Sequence, residues 1–117
     1  MGDESFSNRA DGIADKIFIE RWSPRSFISD SIPELDLKKI IDAARWSPST
    51  VNEQPWLFFT TSSDSSRFQE FVGCLNEGNQ VWAKHSAVIG FIIARKFFKS
   101  KPRENSLADF DCGAAWM

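Results

Sequence analysis

Residues 45–56 have the sequence Arg45-Trp46-Ser47-Pro48-Ser49-Thr50-Val51-Asn52-Glu53-Gln54-Pro55-Trp56. An apolar pattern of helical period precedes this stretch, and a run of apolar residues typical of a strand follows it. Two prolines bracket its centre, and its hydroxyl and amide side chains can hydrogen-bond to the edge of a planar heterocycle. We therefore expect a polar loop over residues 47–55 that contributes to a ligand site.

A second short stretch lies about 20 residues earlier and has the sequence Arg21-Trp22-Ser23-Pro24-Arg25-Ser26-Phe27. Two guanidinium groups and two hydroxyl groups in so short a segment suit a phosphate dianion, because arginine donates in a bidentate geometry. Together the two stretches indicate a phosphorylated ring cofactor that is held without a glycine-rich loop. The alternative is that Arg21 and Arg25 are ordinary surface residues on a turn.

The bulk composition fits one domain and excludes several classes of protein. The chain has 117 residues, 42% of them apolar, and its net charge is 14 − 16 = −2, which does not suggest a partner such as nucleic acid or an anionic membrane. The longest apolar run, Ala87–Ala94, is too short to span a bilayer and predicts a buried strand. The acidic N-terminus has no apolar signal segment, so we expect a cytoplasmic protein in which Cys74 and Cys112 are buried free thiols.

The aromatic content is unusual, with five Trp, eleven Phe and no Tyr. So many tryptophans are difficult to bury inside a small monomer, and aromatic residues are enriched in cores and interfaces. We therefore expect a subunit interface that buries some of them. Trp46 and Trp56 in particular are expected to pack in a core or a dimer contact.

Residue periodicity predicts the secondary structure. In the first half of the chain we expect disorder over 1–8, a helix over 9–20, and a second helix that starts near Ser31 with Pro33 in its first turn and stops before Pro48. A strand over 56–61 follows, and then a helix that ends at Gly78 and has Phe68, Phe71, Val72 and Leu75 on one face. The remaining elements are a short turn or helix over 80–83, a strand over 86–95, a solvent-facing basic segment over 96–103 and a final helix capped by Asn105 or Ser106.

The second strand has an unbroken apolar run, which predicts cover on both faces and a central position in a sheet. Two strands are too few for a stable sheet, and the last helix has no capping signal at Trp116-Met117. The sequence thus predicts a fragment of a longer domain or a partner that supplies the missing elements.

These motifs resemble the nitroreductase family of FMN-dependent oxidoreductases. The resemblance is carried by Arg-x-Ser-x-Arg-x-Phe at residues 21–27, by Ser-Pro-Ser-x-x-Asn-x-Gln-Pro-Trp at residues 47–56, by Asn-Gln-x-Trp-Ala at residues 79–83 and by residues 109–116, which are similar to the start of the family's central helix. It covers roughly residues 15–117. It implies an α+β nitroreductase-like domain over 9–117, with a central mixed or antiparallel sheet flanked by helices and incomplete at its C-terminus.

The resemblance also implies a homodimer with two FMN sites at the subunit interface and NAD(P)H as co-substrate. By this likeness Arg21, Ser23 and Arg25 hold the FMN phosphate and ribityl chain, Pro48, Ser49 and Asn52 approach the flavin from the other subunit, and Asn79 lies near the pyrimidine edge of the ring. The family implies no catalytic side chain and no metal, because the cofactor carries the chemistry.

Several alternatives remain open at this point. Asn52 and Gln54 could satisfy backbone groups of their own loop, and Asn79 could be a helix C-terminal residue without a ligand role. The favoured function is an oxidoreductase that passes hydride or electrons from NAD(P)H to a nitroaromatic, quinone or similar electron-poor acceptor. The second hypothesis is a non-catalytic flavin-binding or dimerisation module, or a truncated family member without activity. An unrelated helical scaffold is the third.

Overall fold

The computed structural model describes residues 12–28 and 30–117, and it shows an α+β arrangement around an antiparallel pair of strands. Strand β1 is Trp56–Ser62 and strand β2 is Val88–Ala94, with Trp56 opposite Ala94 and Ser62 opposite Val88. The predicted disorder over residues 1–8 lies outside the described residues. The helices are α1 Lys16–Ile19, α2 Glu34–Arg45, α3 Phe68–Gly73, α4 Glu77–Ala83 and α5 Ala108–Trp116, with a 3₁₀ turn at Thr50–Asn52.

The core lies on both faces of the strand pair, because side chains alternate between the faces of a sheet. One cluster joins Trp56 of β1 to Cys112 and Ala115 of α5, with Ala44 of α2 packed against it. The other cluster joins Ile89 of β2 to α3 through the buried side chains Phe68 and Val72. The expected cover on both faces of β2 is therefore present. Its expected central position is not, because within the described residues β2 pairs with β1 alone.

The first two helices differ from the predicted bounds. Of the helix predicted over 9–20, the part in the described residues is helical only over Lys16–Ile19, where the carboxylate of Asp15 accepts a hydrogen bond from the Ile17 N–H at 2.9 Å. Helix α2 begins at Glu34, so Pro33 is its N-cap residue and does not lie in the first turn as predicted. No side chain caps α2, although Asp30 or Ser31 is a candidate cap by sequence.

The prediction that Gly78 ends a helix is wrong. Asn76 begins a new helix at this point, because its side-chain oxygen accepts a hydrogen bond from the Asn79 N–H at 3.0 Å. Gly78 therefore lies in the first turn of α4, and no described glycine has a positive φ. Asn79 is consequently an early residue of α4, which removes the alternative that it ends a helix.

The basic segment after β2 is exposed, as predicted, but it is also ordered. Phe97 and Glu104 form a bridge, and the Asn105 N–H donates to the Lys96 carbonyl at 2.7 Å. Asn105 is buried, and its side-chain oxygen accepts a hydrogen bond from the Leu107 N–H at 3.2 Å immediately before α5. Leu107 rather than Asn105 or Ser106 occupies the N-cap position of α5.

The cysteine and tryptophan predictions are confirmed in part. Both cysteines are free thiols, and Cys112 is buried, but Cys74 is exposed. Trp56 is a core residue. Trp46 is 74% exposed with the guanidinium of Arg45 lying 5.0 Å from its ring centroid, so it packs in no core here and its predicted dimer contact stays a prediction. Within the described residues, no helix is long and apolar enough to cross a membrane.

Candidate cofactor site

The arginine segment, defined as residues 21–27, lies between α1 and α2 with no regular secondary structure. Three of the residues predicted to hold a phosphate, Arg21, Ser23 and Arg25, are exposed there. Arg25 forms no ion pair within the part of the chain that the structure describes. A cation and a hydroxyl group at the surface can serve an external anion without first breaking an internal salt bridge.

A ring contact joins the arginine segment to α4. Phe27 stacks on Trp82 with a centroid distance of 5.9 Å and an interplanar angle of 28°. Trp82 lies three positions after Asn79, and residues at that spacing are neighbours on one side of a helix. The contact therefore brings the end of the arginine segment against the side of α4 that carries Asn79. Asn79 is half-buried, and its side-chain amide forms no hydrogen bond within the described residues.

The polar loop, residues 47–55, closes on itself through its own side chains. The hydroxyl oxygen of Ser49 accepts a hydrogen bond from the Gln54 N–H at 2.9 Å, and the Gln54 side-chain amide donates to Asn52 Oδ1 at 3.2 Å. Gln54 thus has the structural role that the sequence suggested as an alternative. Ser49 keeps its O–H donor and Asn52 keeps its NH₂ donors for a ligand. Pro48 is exposed beside them.

Three residues of the polar loop depart from ordinary backbone geometry. Val51, Asn52 and Gln54 have φ values of 49°, 54° and 52°. This left-handed region is unfavourable for residues with a side chain, above all for a β-branched one such as Val51. Strain of this kind costs on the order of 1–3 kcal/mol per residue and persists only where the surroundings impose it. Such clusters are typical of ligand sites, so the strain marks the polar loop as a functional candidate.

Two buried carboxylates link the polar loop to later segments of the chain, next to these residues. The Asp111 carboxylate of α5 accepts a hydrogen bond from the Thr50 N–H at 2.9 Å, and the Glu53 carboxylate accepts one from the Lys99 N–H at 2.7 Å. Asp111 and Glu53 are only 5% and 9% exposed. Neither role has a local signal in the sequence, because the partners lie 61 and 46 positions away.

A large apolar cavity borders the start of the polar loop at Ser47. It has a volume of about 840 Å³ and lies between α2, the strand pair and the end of α5. Its lining contains no charged side chain and none of the seven residues predicted to bind a cofactor. Because a phosphate needs cationic or N–H donors, this cavity does not fit the phosphate end of a nucleotide cofactor.

Comparison with known proteins decides the family. A family model described as the nitroreductase family matches residues 19–88, which is more than half of the chain. The chain belongs to the nitroreductase family. All seven predicted site residues of this nitroreductase lie inside the matched range. The family assignment also excludes the unrelated helical scaffold.

Solved structures agree with this assignment. The chain is similar to the crystal structure of an FMN-containing oxidoreductase, with 40% identity, a TM-score of 0.84, and coverage of 91% of this chain and 55% of that one. A proposed nitroreductase from Desulfovibrio desulfuricans in complex with FMN has 22% identity, a TM-score of 0.68, and coverage of 85% and 55%. A proposed NADH oxidase from Clostridium acetobutylicum has 21% identity, a TM-score of 0.69, and coverage of 86% and 57%.

These matches show the nitroreductase-like α+β fold and also its extent. The chain spans just over half the length of the structures that it matches. Among curated proteins, none matches the chain. The family and the fold are therefore established, whereas these matches do not test the roles of the individual residues.

Proposed function

We propose that this nitroreductase binds FMN and acts as a flavin oxidoreductase with NAD(P)H as the electron donor. One observation carries the proposal. The Phe27–Trp82 contact brings a segment with two arginines against the helix that carries Asn79, in a chain that is 40% identical to an FMN-containing oxidoreductase. A phosphate-binding segment beside an amide is the arrangement that a phosphorylated flavin requires.

The donor set of the arginine segment fits the phosphate end of FMN. Arg21 and Arg25 supply charge-assisted hydrogen bonds, which are about twice as strong as neutral ones, and Ser23 supplies a short neutral donor. Asn79 supplies both a donor and an acceptor, which matches the alternating groups on the pyrimidine edge of a flavin. These four residues would hold and orient the cofactor from one subunit.

The polar loop is the second part of the proposed site. Its contacts run to α5 and to the segment after β2, whereas the arginine segment contacts α4. We therefore assign Pro48, Ser49 and Asn52 to the flavin site of a second copy of the chain, as in a homodimer. Exposed aromatic side chains support burial in such an interface, since Trp46, Phe110 and Trp116 are 74%, 76% and 66% exposed.

When bound, FMN supplies the redox chemistry by taking a hydride from NAD(P)H and passing electrons to an electron-poor acceptor such as a nitroaromatic or a quinone. The protein's own residues bind and orient. The cations of the arginine segment neutralise the phosphate, and hydrogen bonds from Asn79 and the polar loop stabilise negative charge on the ring. Two free cysteines agree with a reducing compartment, so we propose the cytoplasm as its location.

A non-catalytic flavin-binding module is the second candidate, because the chain spans 55% of the FMN-containing neighbour. The two candidates are separated by loading the purified 117-residue chain with FMN and adding NADH or NADPH without oxygen, then a quinone or nitroaromatic. An oxidoreductase loses its flavin absorbance with the nucleotide and regains it with the acceptor. Flavin that binds but keeps its absorbance with both nucleotides would identify a binding module.

A further inference from the structure

We propose that Asp111 is a positioning residue for the flavin site, because its carboxylate holds the polar loop in the strained conformation that presents Ser49 and Asn52. The proposal rests on the function proposed above, since it assumes that the polar loop faces FMN. It adds a residue from α5 that lies outside the range matched by the family model and among none of the seven predicted site residues.

The geometry of the contact is specific. Asp111 Oδ2 lies 2.9 Å from the backbone nitrogen of Thr50, which stands between Ser49 and the left-handed Val51. The carboxylate is 5% exposed, although α5 otherwise has exposed positions on either side of the buried pair Asp111 and Cys112. A buried charge is retained only where it is hydrogen-bonded, and an ionised acceptor makes the stronger type of bond.

A neighbouring carboxylate provides a natural contrast. Asp109 lies two positions earlier on α5, is exposed and pairs with Lys96 at the surface. Residues two apart do not share a helix face, so Asp109 and Asp111 have the same chemistry but different surroundings. Asp109 therefore serves as a matched control for the loss of a negative charge from α5.

The hydrogen bond from the Thr50 N–H to Asp111, called the anchor from here on, affects ligand binding because the loop conformation is strained. Without a hydrogen bond at Thr50, the left-handed residues Val51, Asn52 and Gln54 lower their conformational energy by relaxing towards ordinary φ values. Relaxation would move the Ser49 hydroxyl and the Asn52 amide, which are linked to each other through Gln54. A loop that is already held in its binding conformation loses less entropy when the ligand arrives, so the anchor strengthens binding without touching the ligand.

The experiment compares four single variants of the full chain and one double variant. Asp111→Ala removes the acceptor, and Asp111→Asn keeps an oxygen acceptor in the same place. Thr50→Pro removes the N–H donor while keeping Asp111. The backbone tolerates this proline, because Ser49 before it has the extended geometry, with φ −146° and ψ 157°, that a residue before proline prefers. Asp109→Asn is the control.

We expect the FMN dissociation constant to rise by about tenfold or more in Asp111→Ala and in Thr50→Pro, because each loses one charged hydrogen bond. Asp111→Asn should fall between the wild type and Asp111→Ala, because its amide oxygen is a neutral and therefore weaker acceptor, and Asp109→Asn should equal the wild type. The double variant Asp111→Ala with Thr50→Pro should be no weaker than either single variant, because both remove the same bond. The visible circular dichroism of bound flavin should differ from the wild type in Asp111→Ala and Thr50→Pro and should resemble it more closely in Asp111→Asn. A general loss of stability would not change the spectrum of the bound flavin in this pattern.

A second readout does not depend on flavin. By NMR of the chain without cofactor, the Thr50 amide should exchange slowly in the wild type and in Asp109→Asn, and quickly in Asp111→Ala. If the wild type shows this protection but binds no FMN, the proposed function fails while the anchor stands. Unchanged Thr50 exchange in Asp111→Ala, or FMN binding equal to the wild type in both Asp111→Ala and Thr50→Pro, would overturn the positioning role. Should Asp111→Ala fail to fold, Thr50→Pro and Asp111→Asn decide the question.

Discussion

The rings of Phe27 and Trp82 stack at a centroid distance of 5.9 Å, although 55 positions separate them in the sequence (82 − 27 = 55). Phe27 closes the arginine segment, and Trp82 lies on α4 three positions after Asn79. This single contact combines two motifs of the nitroreductase sequence into one candidate surface. We therefore expect this aromatic pair to help orient the arginine segment relative to Asn79.

Replacing Phe27 with Ala should therefore weaken FMN binding. An aromatic pair contributes about 0.5–1.5 kcal/mol beyond its buried area, which corresponds to roughly a two- to tenfold rise in the dissociation constant. Phe97→Ala is a control, because Phe97 is 60% exposed in the hairpin after β2. Titration with FMN by flavin fluorescence measures both variants. Equal affinities for Phe27→Ala and Phe97→Ala would show that the stacking does not position the arginine segment.

Replacing Arg25 with Ala should weaken the binding of FMN but not of riboflavin, which lacks the phosphate. The loss of a charged hydrogen bond predicts about a tenfold or larger rise in the FMN dissociation constant. Arg25→Lys should restore only part of the affinity, because an ammonium group cannot donate in the bidentate geometry of arginine. Arg67→Ala is the matched control, since Arg67 pairs with Glu70 at the surface. Equal losses for FMN and riboflavin would contradict a phosphate contact at Arg25.

The packing of α3 on the strand pair predicts a large effect at Phe68. Phe68 is 3% exposed and packs in a cluster with Val72 and Ile89, so Phe68→Ala should lower the free energy of unfolding by about 3–5 kcal/mol. Phe97→Ala should change it by less than about 0.5 kcal/mol, because Phe97 is 60% exposed. Urea unfolding followed by circular dichroism measures both. A similar small effect in the two variants would mean that α3 is not docked on the sheet.

The two cysteines should differ in reactivity. Burial, with the carboxylates of Asp109 and Asp111 as further causes, raises the pKa of the Cys112 thiol above its ordinary value of 9.0. Because only the thiolate is nucleophilic, iodoacetamide at mildly alkaline pH should modify the exposed Cys74 first and Cys112 only after unfolding. Mass spectrometry of the intact and digested protein locates the label. Rapid labelling of Cys112 in the folded chain would contradict its burial in the core.

The same shift has a consequence for stability. The folded state holds the Cys112 proton more tightly than the unfolded state does. The contribution of Cys112 to the free energy of unfolding is therefore complete below the unfolded pKa of about 9 and is lost as the pH rises through the folded value. The free energy of unfolding should therefore fall above about pH 9, and Cys112→Ala should reduce the slope of that fall. An identical slope in the wild type and in Cys112→Ala would show that other groups cause it.

Local patterns in the sequence predicted much of this fold. The apolar spacing of Leu37, Ile40 and Ile41 predicted α2, and the apolar runs near Trp56 and Ile89 predicted both strands. Helix boundaries were less predictable, because Gly78 resembles a helix end but the Asn76 side chain begins α4 there. The motifs at residues 21–27 and 47–56 predicted the fold class through their resemblance to a family. The family match and the solved structures confirm that fold class.

Contacts between distant residues could not be predicted. Nothing near Asp111 in the sequence indicates the Thr50 amide, and nothing near Phe27 indicates Trp82, because tertiary packing alone brings each pair together. Val51 has a β-branched side chain that disfavours positive φ, so local propensity predicts the opposite of its observed conformation. The roles assigned to the seven cofactor residues accordingly stay predictions until binding is measured.

The central proposal is that the chain holds a flavin by its phosphate through the arginine segment. Parallel titrations of the purified 117-residue chain with FMN and with riboflavin, with the native mass measured in each case, test it most directly. The account predicts that FMN binds at least about tenfold more tightly than riboflavin and that the flavin-bound species has the mass of a dimer. Equal binding of the two flavins, or binding of neither, would contradict it.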